Sequence, residues 1–156
     1  VTEADLVVEV QNACAADGVP SPERIVTWAR GALDGTARGE LTVRIVDQLE
    51  SAALNKRYRR QEGPTNVLAF PAEQGIPLAE GEPAPLGDLV ICAEVLAREA
   101  AEQGKTLEAH WAHVVIHGVL HLLGHDHRSP AEAHAMESRE RALLAGFGFP
   151  DPYRGA

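Results

Sequence analysis

The chain has 156 residues, 45% of them hydrophobic, a size and composition that suit one globular domain spanning residues 1–156. A formal net charge of −9 argues against broad binding to nucleic acid through many phosphate contacts, and DNA is not an expected partner. No apolar run reaches the ~18–20 residues of a membrane span. The acidic start Val1-Thr-Glu-Ala-Asp5 lacks the basic opening and small-residue cleavage site of a signal peptide, so a cytoplasmic location is expected, with no membrane partner.

Leu6 to Val10 reads as a short strand. Ser21-Pro-Glu23 then opens a helix, with Ser21 as N-cap and Ile25, Trp28, Ala29, Ala32 and Leu33 recurring on one face. Trp28 is expected in the core. Glu40 to Val46 alternates polar and apolar residues, the pattern of a half-buried strand. Asp47 caps a second helix that runs into the basic island Lys56-Arg-Tyr-Arg-Arg60. By charge alone the island reads as the solvated end of that helix. Gly63-Pro-Thr-Asn66 forms a turn, Val67 to Pro71 a strand, and residues 72–85 a solvated loop. Leu86 to Cys92 is a nearly continuous apolar run, as expected of a buried strand. Helices over Ala93–Gln103, Thr106–Leu123 and Pro130–Ala145 complete the chain. This order implies an α+β fold, with a small mixed four-stranded sheet packed by about five helices. Cys14 and Cys92 make neither a disulfide framework nor a C-x-x-C pair, and both read as buried, reduced, small apolar residues.

Six of the seven histidines lie between His110 and His127. His113, His117 and His121 are spaced four apart and share one helical face. Two imidazoles one turn apart reach a single ion, but the outer two of the three are separated by ~12 Å of helix rise. A third ligand must come from elsewhere. Gly124 can take a positive φ and end the helix, which lets His127 approach from another direction. We therefore expect His117, His121 and His127 to hold one metal ion on the helix and the turn after it. His113 with His117 is the rival pair. Three histidines leave a fourth tetrahedral position open for water, the arrangement of a catalytic zinc site.

The spacing resembles that of metzincin zinc proteases, but those carry a glutamate base directly after the first histidine, where this chain has Gly118. The segment His117-Gly-Val-Leu-His-Leu-Leu-Gly-His-Asp-His127 is much more similar to the H-G-x-L-H-L-x-G-Y-D-H signature of the YbeY family, bacterial metal-dependent endoribonucleases. His125 stands where the family usually has tyrosine. Leu54 to Pro71 resembles the family's L-N-x-x-Y-R-x-x-x-x-P-T-N-V-L-S-F-P block, with Ala69 in place of serine, and Leu86 to Cys92 its L-G-D-I-x-I-C strand. Met136-Glu137 falls where the family has a comparable step in its last helix.

The resemblance implies one Zn2+ ion per chain and single-strand endoribonuclease activity in ribosomal RNA processing. It points to 3′ end maturation of the small-subunit species and to ribosome quality control. Expected partners are ribosomal RNA and the pre-ribosomal small subunit, reached through ribosomal or assembly proteins because the chain is acidic. The family's important arginine maps onto Arg59, expected to grip the scissile phosphate, with Arg57 and Arg60 as outer contacts. Thr65 and Asn66 either contact phosphate or shape the turn. Asp126 either orients a ligand histidine or caps the helix break, and His113 is a supporting residue or core. Two other readings stay open: a metal hydrolase acting on something other than RNA, and a non-enzymatic ribosome assembly factor.

Overall fold

A computed structural model of the chain describes residues 6–33, 39–72, 85–124 and 128–153. The elements run β1 (Leu6–Asn12), α1 (Pro22–Ala32), β2 (Gly39–Val46), α2 (Gln48–Arg59), β3 (Val67–Pro71), β4 (Pro85–Cys92), α3 (Ala93–Gln103), α4 (Leu107–Leu122) and α5 (Pro130–Gly146). The strand order is β1-β2-β4-β3. β1 and β4 both run parallel to β2, whereas β3 pairs antiparallel with β4 and forms an edge of the sheet. The fold is α+β with a mixed, open, four-stranded sheet, as the alternation of elements implied. Most of the expected loop, residues 73–84, lies outside the described residues, as do His125, Asp126 and His127.

Local chemistry sets the helix ends. Ser21 Oγ accepts the Arg24 N–H at 3.4 Å, and Asp47 Oδ1 accepts the Glu50 N–H at 2.9 Å. α2 stops at Arg60, a non-glycine residue in the left-handed region with φ 56°, whose N–H donates to the Lys56 carbonyl at 3.1 Å. Gly124, expected to break α4, has φ +98° just past its end.

The period-two strands face two cores. Leu41, Val43, Ile45, Leu89 and Ile91 point into the larger one, with Trp28 of α1 and Trp111, Val115 and Val119 of α4. Val46, Val90 and Cys92 face the other way, with Leu68, Val95 and, from α2, Leu54. Cys92 is buried as expected, but Cys14 is only half-buried, because it follows β1 at the margin of the large core. Its sulfur accepts the Ala16 N–H at 3.3 Å.

α4 is buried on nearly every side, and it meets the sheet where Gly118 lies against Leu89 of β4. A Cβ at position 118 would stand 2.8 Å from Leu89 Cδ2 and 3.1 Å from its Cδ1. Leu89 is fully buried, so the end of its side chain would have to shift within the core. The glycine where metzincins carry their base is therefore favoured by packing, and a glutamate would also bury a charge there. Gly118→Ala is expected to lower the unfolding free energy in a denaturant titration by about 1–3 kcal/mol. An unchanged midpoint would show that Leu89 yields after all.

Candidate functional site

Along the middle of α4, from His110 to His121, the half-exposed positions define one strip. His113, His117 and His121 are half-buried, while Trp111, Ala112, Val114, Val115, Ile116, Val119 and Leu120 are buried. The shared face expected from the i, i+4 spacing is therefore present, with the His113 and His117 rings 6.2 Å apart between centroids. This strip lines a cleft of about 830 Å³. Across it lie the end of α2, with Tyr58 and Arg59, and the edge strand β3 from Val67 to Phe70.

Of the residues expected from the sequence, the cleft brings together Arg59, Asn66, His113, His117 and His121. Arg57 and Arg60 are exposed on the same helix end but do not line it. Thr65 does not line it either: its N–H donates to Ser51 Oγ at 3.0 Å, and its carbonyl accepts that hydroxyl at 3.1 Å. Asn66 reaches the cleft, with Nδ2 donating to Glu99 at 3.3 Å and Oδ1 accepting the Val67 N–H at 2.6 Å. Asp126 and His127 lie outside the described residues.

The residue behind the histidines is Glu140 of α5, which is fully buried. Its Oε2 accepts His113 Nε2 at 2.5 Å and the Tyr153 hydroxyl at 2.8 Å, and its Oε1 accepts His117 Nδ1 at 3.0 Å. Burial pushes the carboxyl pKa up, but the hydrogen bonds and charges of His113 and His117 outweigh it and hold the value at about 2. The Tyr153 hydroxyl moves the other way, pushed well above the ordinary phenol range by burial and then by Glu140, so it stays protonated and donating.

An ionised carboxylate only accepts, so His117 Nδ1 must carry the proton toward it. The other ring nitrogen, Nε2, is then the atom with a lone pair for an ion. His113, His117 and Glu140 together offer ligand atoms within 4.8 Å of one another, a group able to hold a metal ion. As they stand, the Glu140 carboxylate is hydrogen-bonded to both histidines, through His113 Nε2 and His117 Nδ1. Ligands about 2 Å from one tetrahedral ion lie roughly 3.3 Å apart, well beyond the 2.5 Å between His113 and Glu140.

At another part of the cleft His110, buried, donates Nε2 to Glu99 at 2.9 Å. Burial lowers its pKa, and the raising effect of Glu99 does not reverse this, so the ring is neutral near pH 7.

Sequence reasoning missed Glu140 and Tyr153. A signal for the glutamate existed: Met136, Glu140 and Leu144 are spaced four apart, and all three are buried. A carboxylate inside an apolar helical stripe requires buried partners. Nothing comparable marked Tyr153, which reaches back to α4 from beyond α5.

A family model described as Endoribonuclease YbeY matches residues 17–148. The chain belongs to the YbeY endoribonuclease family. A protein of Halorhodospira halophila (strain DSM 244 / SL1) named Endoribonuclease YbeY is 53% identical over 143 residues, which cover 90% of this chain and 92% of that one. The solution structure of TM1509 from Thermotoga maritima matches with a TM-score of 0.59 at 22% identity, covering 91% of this chain and 92% of the other, and shares the fold. The YbeY resemblance read from three sequence blocks is thereby borne out, and it places the chain among nuclease-type hydrolases.

Removing the carboxylate should leave two imidazoles and a phenol without their acceptor. Glu140→Ala is expected to cost about 3 kcal/mol in chemical unfolding, and Tyr153→Phe about 1 kcal/mol. A Glu140→Ala protein as stable as the Tyr153→Phe protein would show that Glu140 is not the hub.

Proposed function

We propose that the chain is a zinc-dependent endoribonuclease cutting single-stranded RNA, with His117, His121 and His127 holding one Zn2+ ion. The observation that carries this reading is the presence of Arg59 in the same cleft as His117 and His121. A guanidinium and a metal-ligand face across one cleft suit a reaction in which charge builds on a phosphate. The ion would supply Lewis acidity toward that phosphate or an attacking oxygen.

The residues present fit the ion. Glu140 holds His117 by Nδ1, which fixes the tautomer that offers Nε2. The rival pair fits less well. Nε2 of His113 is engaged by Glu140 and Tyr153, and its Nδ1 is buried with no hydrogen-bond partner among the described residues. We assign His113 to support His117 through the shared carboxylate, and Asp126 to orient a ligand in the turn. Arg59 grips the scissile phosphate with its fork of N–H donors, and Arg57 and Arg60 touch flanking phosphates. Asn66 shapes the cleft wall beside Arg59, and Thr65 holds the turn that leads into it.

The substrate we propose is precursor ribosomal RNA, cut in maturation of the small-subunit 3′ end and in ribosome quality control, in the cytoplasm. Family membership supports this. The net charge of −9 supports delivery by ribosomal or assembly proteins rather than by affinity for free RNA. No helix among the described residues is long and apolar enough to cross a membrane.

Two substitutions separate the roles. His121→Ala should abolish stoichiometric zinc by elemental analysis while His113→Ala retains most of it; the reverse pattern would assign the ion to the His113, His117 and Glu140 group. Arg59→Glu should keep its zinc yet lose cleavage of single-stranded RNA by at least about 100-fold. In cells carrying only that variant, small-subunit precursor RNA should accumulate. Wild-type cleavage rates for Arg59→Glu would remove the arginine from the mechanism.

A further inference from the structure

The ring of Tyr58 is not used by the chemistry proposed above, yet its placement is unusual. It is 55% exposed, whereas Trp28 and Trp111 are 4% and 1% exposed. Tyr58 occupies the last turn of α2, directly before Arg59, and lines the same cleft. Its orientation is held from two sides. Phe70 of β3 meets it edge-to-face, with centroids 5.1 Å apart and planes at 75°. The Arg57 guanidinium stands 5.3 Å from its centroid.

This exposed ring lies inside the stretch Lys56 to Arg60, which carries four cations and no acid in a chain of net charge −9. Apolar surface left in water costs free energy that burial against a ligand recovers. A lipid tail or an apolar peptide side chain would cover the ring but would make no use of the surrounding guanidinium groups. A nucleobase beside its own phosphates uses both. Bases in a duplex are already stacked, so a π-face of this kind selects an unpaired strand.

We propose that Tyr58 stacks a base of single-stranded RNA adjacent to the phosphate held by Arg59, with Phe70 and Arg57 fixing the ring. This rests on the RNA-cleavage reading and adds a substrate subsite to it. Stacking on the exposed part of an aromatic ring is tolerant of base identity, because every base has a π-face. The subsite therefore confers preference for unpaired over paired RNA rather than for a sequence.

The test is cleavage kinetics of the zinc-loaded full chain on a single-stranded RNA oligonucleotide. The same strand is also assayed with abasic residues on either side of the cut. Tyr58→Leu should raise KM for the intact strand about ten-fold with little change in kcat. It should leave KM for the abasic strand at the wild-type value. Tyr58→Phe and Tyr58→Trp should restore the intact-strand KM. In rapid mixing, 2-aminopurine beside the cut should be quenched on binding by the wild type but not by Tyr58→Leu.

A KM that rises equally for both strands would mean that the substitution acts through the shape of α2 and would overturn the stacking subsite. A KM unchanged for both would overturn it too. Cleavage that depends on Arg59 but not on Tyr58 removes only this inference. Absence of any RNA cleavage by the wild type removes the functional reading as well.

Discussion

The site depends on one buried negative charge. Glu140 has no solvent to stabilise its carboxylate, so it must be surrounded by donors, and those donors come from elsewhere in the fold: His113 and His117 on α4, and Tyr153 beyond α5. The same contacts that make the charge tolerable dock α5 onto α4 and decide which nitrogen of His117 carries the proton. Packing and chemistry are thus coupled at one residue. A metal-binding histidine needs an oriented ring and a defined tautomer, and a carboxylate behind it supplies both.

A second constraint acts on α4 at the residue next to His117, on the same cleft. The contact of Gly118 with Leu89 brings the helix close to β4, and Gly118 lines the cleft together with His113, His117 and His121. The residue that separates this motif from the metzincin pattern is consequently a packing residue as well as a missing base. A glutamate there would have to displace the end of the Leu89 side chain and would bring a charge into a buried position.

The acidic composition and the basic island are reconciled by position. Cations at the C-terminal end of α2 are already favoured by the helix dipole, which is the bland explanation for Lys56 to Arg60. The left-handed turn at Arg60 and the return along β3 bring that helix end to the rim of the cleft, where Arg59 faces the histidine strip. A charge pattern with an ordinary local cause thus gains a functional setting from the path of the chain.

Much of this was legible in the chain itself, wherever the governing interaction is local. The caps at Ser21 and Asp47, the period-two strands, the break at Gly124 and the common face of His113, His117 and His121 all arise from residues within a turn or two of each other. Family blocks then marked Arg59. Some features were beyond local reading. Arg60 ends a helix in a conformation that side chains resist, so no glycine announced it. The partners of Glu140 are 23 and 27 residues away on α4 and 13 away at Tyr153, and Asn66 meets Glu99 across 33 residues. Spacing along the sequence carries no information about such pairs. Only the packing of α5 against α4, and of β3 against β4, decided which side chains met, because a buried polar group takes its partners from whatever elements close over it.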